Sequence, residues 1–293
     1  MLIFFLFLIE IVATLFIGAL LYPLPVSDTG NVRYSSIPFM TMLLILINSL
    51  VFMLFQAFDL YQGANLADAG DITGIYRIYH YVETVWTYGY RGIFLREGLS
   101  IGAFSTFTSM FMHADFWHLL GNMIFLWTFG RRVEDACGAW RFLLFYLVAG
   151  MVANLGSDLL NPAQVDIPGI GASGAIAGVM GAYLILFPGA MVTSFWGIGI
   201  VLRVPAVLIL KIAGIKQVAG AKIWRWTIRL PAWMFLIYFL ARESLPSFEV
   251  MSQGKDYGGV NNLAHVTGFL AALVIFLFVR KDLITRYFAG RAI

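Results

Sequence analysis

Charge is what this chain has least of: 12% of its 293 residues are Asp, Glu, Lys or Arg, where proteins that fold in water carry about a quarter. With 60% hydrophobic residues and a mean hydropathy of +0.84, that scarcity excludes a water-soluble globular domain. A single cysteine, Cys137, excludes a disulfide framework. Four histidines without an H-E-x-x-H exclude a zinc-finger array and argue against a helix-borne catalytic metal, since His113 and His118 stand five apart. No metal or other cofactor is expected. A net charge of +3 with no long basic tract leaves nucleic acid without a binding surface. No internal repeat of the kind that builds transporter halves is present.

Long apolar runs are abundant. Seven spans are expected, at Leu2 to Leu21, Phe39 to Phe58, Phe116 to Phe129, Phe142 to Leu160, Ala172 to Phe187, Ala232 to Leu245 and Leu263 to Val279. Several are shorter than the about 20 residues that cross a bilayer alone, which suits helices buried in a bundle or lining a water-filled cavity. No Lys or Arg precedes the first run, so it lacks the n-region of a cleaved signal peptide and is expected to be retained. Its Glu10 is read as a protonated side chain against a neighbouring helix.

Basic residues collect in alternate connections: Arg131, Arg132 and Arg141; Arg203, Lys211, Lys216, Lys222, Arg225 and Arg229; and Arg280, Lys281, Arg286 and Arg291. These face the cytoplasm by the positive-inside rule, which puts the N-terminus outside. The long 59 to 115 loop, rich in Tyr and Trp, is expected to pack on the membrane surface as a structured aromatic element. The 192 to 229 connection is expected to be an interfacial helix on anionic lipid.

Three polar sets fall at the starts of spans: His118-Leu-Leu-Gly-Asn122, Gly171-Ala-Ser-Gly174 and Ala264-His-Val-Thr-Gly268. Each alone is weak evidence; their depths are not. Counting from the cytoplasmic ends at about 1.5 Å per residue puts Ser173, His265 and His118 at roughly 21, 22 and 20 Å, with Asn122 one turn further in on the same face as His118. Ser, His, His and Asn could therefore converge in the outer half of the membrane. A serine hydroxyl needs a base to become a nucleophile, and His265 would supply it. The oxyanion of acyl transfer needs donors, and the Ser173 backbone N–H, Asn122 and His118 would supply those. Gly174, Gly178 and Gly181, with Gly268 and Ala272, offer the small residues that close helix contact requires. The plainer reading, glycines that only pack helices and a serine bonded to its own helix, leaves both histidines unexplained.

With these residues in place, the sequence resembles the rhomboid family of intramembrane serine proteases, from about Leu24 to the end. The resemblance is carried by Pro25-Val-Ser-Asp-Thr, Ile47-Asn48, Met112 to Met123, Phe129-Gly130 with Val133-Glu134, Gly171 to Ile176 and Ala264 to Gly268. It implies an all-α membrane protein with a six-helix core plus one extra N-terminal helix, residues 1–23 forming that helix and 24–293 the protease domain. It implies Ser173 as nucleophile, His265 as general base, and His118 and Asn122 as oxyanion-hole donors. His113 would be a structural histidine of the outer loop, and Glu134 would anchor the cytoplasmic loop. Substrates would be transmembrane segments of other membrane proteins, in the lipid bilayer of a bacterial cytoplasmic membrane. A Trp-Arg pair of the outer loop has only loose counterparts in Trp86 and Arg91. The alternative is a silent relative that binds and routes membrane clients; the presence of both Ser and His argues against it.

Overall fold

The computed structural model describes residues 23–28, 37–98, 100–162, 166–214, 227–253 and 261–279. The expected first span, Leu2 to Leu21, lies outside the described residues. In chain order the elements are β1 (Leu24–Asp28), α1 (Phe39–Phe52) and its π-helical continuation (Met53–Gln62), α2 (Gly63–Asp68), α3 (Ile72–Tyr88), α4 (Gly92–Arg96) and α5 (Ser100–Thr108). Next come α6 (Phe116–Phe125) with a π-helical continuation (Leu126–Gly130), α7 (Arg131–Cys137), α8 (Ala139–Leu160) and α9 (Ser173–Leu186). The last are β2 (Met191–Phe195), α10 (Gly197–Ile212), β3 (Thr227–Pro231), α11 (Ala232–Gln253) and α12 (Asn262–Val279). The chain divides into two compact units, Met1–Asn31 with Gly189–Phe235, and Val32–Pro188 with Leu236–Ile293.

The first unit corrects the all-α expectation and narrows the helix expected over 192–229 to α10, with strands on either side. It holds an antiparallel three-stranded sheet in the order β1-β2-β3, with α10 between its second and third strands. In β2, the run Met-Val-Thr-Ser-Phe alternates, with Val192 and Ser194 fully buried, as a strand of period two requires. Pro25 cannot donate to a ladder, and it sits on an edge strand beside a break in register between Pro25 and Ser27. Charges spread along 192–229 hide this pattern from a reading tuned to helical spacing.

The second unit is helical. Among the described residues, two helices, Phe39–Asp68 and Ala139–Leu160, are long and apolar enough to cross a bilayer by themselves. The structured element expected in the loop 59 to 115 is helical: α2, which ends the Phe39–Asp68 helix, and α3, α4 and α5 lie within it. Asp71 begins α3 by accepting the N–H and hydroxyl of Thr73 at 2.9 and 2.8 Å, and those bonds hold its carboxyl below its ordinary range. Trp86 and Arg91 do meet, the guanidinium lying 4.7 Å from the indole centroid and 4.4 Å from that of Phe94, and Arg91 also pairs with Asp166.

Glu134 is fully committed. Its carboxylate accepts the N–H groups of Met40 and Thr41 at 2.8 and 2.7 Å and the Thr41 hydroxyl at 2.7 Å. The orphan donors at the start of α1 are thereby satisfied from 93 residues away, and α7 is tied to α1.

At the centre, α9 is buried on every face from Gly174 to Tyr183. Its glycines let α8 and α12 come close. A Cβ on Gly178 would fall 2.6 Å from the Ala149 Cβ, and one on Gly181 would fall 2.4 Å from the Phe269 carbonyl oxygen. A Cβ on Gly268 would strike the Gly174 carbonyl oxygen at 2.4 Å. The glycines therefore permit backbone-to-backbone contact that any side chain would prevent.

Candidate active site

Ser173 is the first residue of α9, and the backbone before it is unusual. Gly171 has φ of +130°, a region open essentially to glycine alone, and its N–H donates to the Ser109 carbonyl at 2.9 Å. The helix that follows has 14 residues and no side chain capping its start, so the positive end of its dipole and its first N–H groups lie at Ser173 without a side-chain cap.

Gly171 also measures how near the polar residues come. A Cβ on it would lie 2.9 Å from Cε1 and 3.0 Å from Nε2 of His118, and 3.4 Å from the Ser173 Oγ. The imidazole of His118 and the serine hydroxyl thus both approach Gly171, which has no side chain to hold them apart. His118 stands in the first turn of α6, whose N-cap Asp115 accepts the His118 N–H at 2.8 Å. The Ala114 N–H points at His118 Nδ1 at 3.4 Å. With Nδ1 accepting, Nε2 is the nitrogen that carries the hydrogen, and it is Nε2 that lies against Gly171.

His113 packs edge-on to His118, with ring centroids 5.2 Å apart. Its backbone is held by Gln56, whose amide donates to the His113 carbonyl at 2.9 Å and accepts its N–H at 3.0 Å. Gln56 is fully buried within the π-helical stretch after α1, so this double bond fixes the segment that leads into α6. Asn122, one turn beyond His118, is buried, and its Nδ2 has no hydrogen-bond partner among the described residues.

His265 is buried near the start of α12. Asn261 caps that helix, accepting the Ala264 N–H at 3.0 Å and the Ser157 hydroxyl of α8 at 2.8 Å through one oxygen. Thr267 adds a bond to the Ala153 carbonyl at 3.1 Å. The two key helices touch beside the two key residues: a Cβ on Gly174 would lie 3.7 Å from the Ala264 carbonyl oxygen. The residue after Ser173 thus meets the residue before His265. All four residues singled out from the sequence belong to one unit, with His118 and Ser173 around Gly171 and His265 on the helix packed against Gly174.

One member of this site escapes the sequence reading. Glu243 of α11 is 3% exposed, and its Oε2 lies 2.9 Å from His265 Nδ1. A carboxylate within a largely apolar span is a signal for function, but spacing along the chain cannot link it to a histidine 22 residues later.

A family model described as the rhomboid domain matches residues 102–282. The chain is 34% identical over 113 residues to Rhomboid protein 1, mitochondrial, of Saccharomyces cerevisiae, covering 38% of this chain and 33% of that protein. It is 39% identical over 79 residues to the putative rhomboid protease YdcA of Bacillus subtilis, covering 27% of this chain and 39% of that protein. Rhomboid-like protein 11, chloroplastic, of Arabidopsis thaliana is matched at 27% identity over 181 residues, 59% of this chain and 51% of that protein. The matched stretches thus span about half or less of these relatives' own lengths.

Proposed function

The chain belongs to the rhomboid family, and on that premise we propose that it is an intramembrane serine endopeptidase working through Ser173 and His265. Members of the family are integral to membranes, and the substrates we assign are transmembrane segments of other proteins within the bilayer. Its protease domain would run from residue 24 to 293, preceded by the helix of residues 1–23. Relatives named mitochondrial and chloroplastic show that the family is spread over several membranes; the bacterial cytoplasmic membrane is our assignment for this chain.

In this reading His265 accepts the Ser173 proton as Oγ attacks the scissile carbonyl, and the negative charge moves to the carbonyl oxygen. The Ser173 N–H at the helix start, the Nε2–H of His118 and the unpartnered amide of Asn122 receive it. His265 then gives its proton to the leaving amine, and the acyl-enzyme is hydrolysed by water through the same sequence. The observation that carries the proposal is the nearness of His118 Nε2 and Ser173 Oγ, which lie 3.0 and 3.4 Å from one point, the position a Cβ would take on Gly171. An extended backbone must reach Ser173, so substrate helices that unwind easily at small or helix-breaking residues are favoured.

Labelling of the purified full chain with a fluorophosphonate probe tests this directly. The wild type should be labelled and Ser173→Ala should not. A wild type that neither labels nor cuts a transmembrane reporter would support the silent, client-binding alternative.

A further inference from the structure

The Ser173 and His265 reading makes no use of Glu243, a buried carboxylate that touches the base. Glu243 Oε2 and His265 Nδ1 are 2.9 Å apart, with the two side chains 4% and 10% exposed. Two acceptors cannot sit at that distance without a hydrogen between them, and the other carboxylate oxygen, Oε1, accepts from the Arg242 guanidinium at 2.9 Å. A carboxylate with donors on both oxygens places the shared hydrogen on Nδ1 of the imidazole. One turn earlier on the same helix, Phe239 lays its ring beside His265, centroids 6.3 Å apart and 33° between planes, and beside Phe269 at 6.5 Å. Two residues on one stripe of α11 therefore hold the histidine, one at its edge and one near its face.

We propose that Glu243 is a positioning residue for the base histidine, accepting the Nδ1–H of His265 so that Nε2 is presented unprotonated to Ser173. The proposal rests on the assignment of Ser173 and His265 as nucleophile and base. It extends the Ser-His pair to a Ser-His-Glu array in which the third member comes from α11, a different helix from either of the others. The carboxylate selects the tautomer, holds the ring against rotation, and offsets the positive charge that the imidazole gains when it takes the Ser173 proton. No covalent step is added; the proton still shuttles between Ser173, His265 Nε2 and the leaving amine. Movement of α11 would withdraw the acceptor, so the base is in order only while this helix is seated.

The test compares Glu243→Gln, Glu243→Ala and Glu243→Asp in the full chain, reading fluorophosphonate labelling rate, kcat and KM on a transmembrane reporter, and thermal midpoint. Glu243→Gln and Glu243→Ala should lower kcat about 10²- to 10⁴-fold while KM stays within about twofold. Glu243→Asp should recover a substantial part of the loss, because a carboxylate on a shorter stem can still accept from Nδ1. Glu243→Gln preserves volume and decides the matter if Glu243→Ala fails to fold. The inference is overturned if Glu243→Gln keeps kcat near wild type, or if kcat, KM and thermal midpoint fall together with no recovery in Glu243→Asp. A wild type that does not react with the probe overturns the protease reading itself, whereas a reactive wild type with an equally reactive Glu243→Gln overturns only this inference.

Discussion

Gly171 lies flush against the imidazole of His118: a Cβ on the glycine would come 2.9 Å from Cε1 and 3.0 Å from Nε2. The same residue holds φ of +130°, so both its backbone and its surroundings exclude a side chain. Gly171→Ala is therefore expected to displace His118 or the start of the Ser173 helix. The fluorophosphonate labelling rate should fall at least about tenfold, since misplacement of roughly 1 Å costs much of the rate, and the thermal midpoint should fall as well. Full activity in Gly171→Ala would show that the contact between this glycine and His118 does not position the reacting groups.

Ser173→Ala and His265→Ala should each abolish cleavage of a transmembrane reporter. Expression and thermal midpoint stay close to wild type in Ser173→Ala, whereas His265→Ala removes a partner of the buried Glu243 carboxylate and lowers the midpoint. Ser173 is only half-buried, and among the described residues its removal leaves no buried partner stranded. Cleavage by Ser173→Ala at a comparable rate would remove the nucleophile assignment.

Asn122→Ala should lower turnover roughly ten- to a thousandfold, less than loss of the nucleophile, because other donors to the oxyanion remain. Its Nδ2 is buried without a protein partner among the described residues, so the deletion breaks no bond through that nitrogen and should cost little stability. Equal loss in Asn122→Ala and Ser173→Ala, both folded, would assign Asn122 a structural role instead.

Glu134→Ala separates folding from chemistry. It strands the N–H groups of Met40 and Thr41 and the Thr41 hydroxyl, all buried, at a cost of about 2 to 5 kcal/mol. The thermal midpoint should drop clearly, while kcat per folded molecule, titrated with the fluorophosphonate probe, stays within about threefold of wild type, since Glu134 touches none of the proposed reacting groups. An unchanged midpoint would mean that α1 does not depend on this carboxylate.

Much of the helical unit is legible along the chain. The apolar runs at 39–58, 142–160, 172–187 and 263–279 all coincide with helices, and α11 begins at Ala232, directly after Pro231, where a helix start tolerates proline. That helix continues to Gln253, beyond the expected end at Leu245. The sheet of β1, β2 and β3 is not legible, because its strands lie 160 or more residues from first to second and the ladder between them is built from backbone groups common to every residue. Trp86 and Arg91 are legible only as loose candidates, since their stacking depends on how the chain turns at Gly89 and Tyr90 between α3 and α4.

What the sequence alone determined is local: which runs must be helical and where they start, which follow from apolar length. Which way each helix faces was decided only by tertiary structure. A span that is apolar all round has no polar stripe to mark its inner face, so periodicity is silent about rotation. Packing supplied that rotation through the glycines of α9 against α8 and α12. The same packing turned His118 toward Gly171 and brought Glu243 to His265, two contacts between residues 53 and 22 positions apart that no count along one helix could have joined.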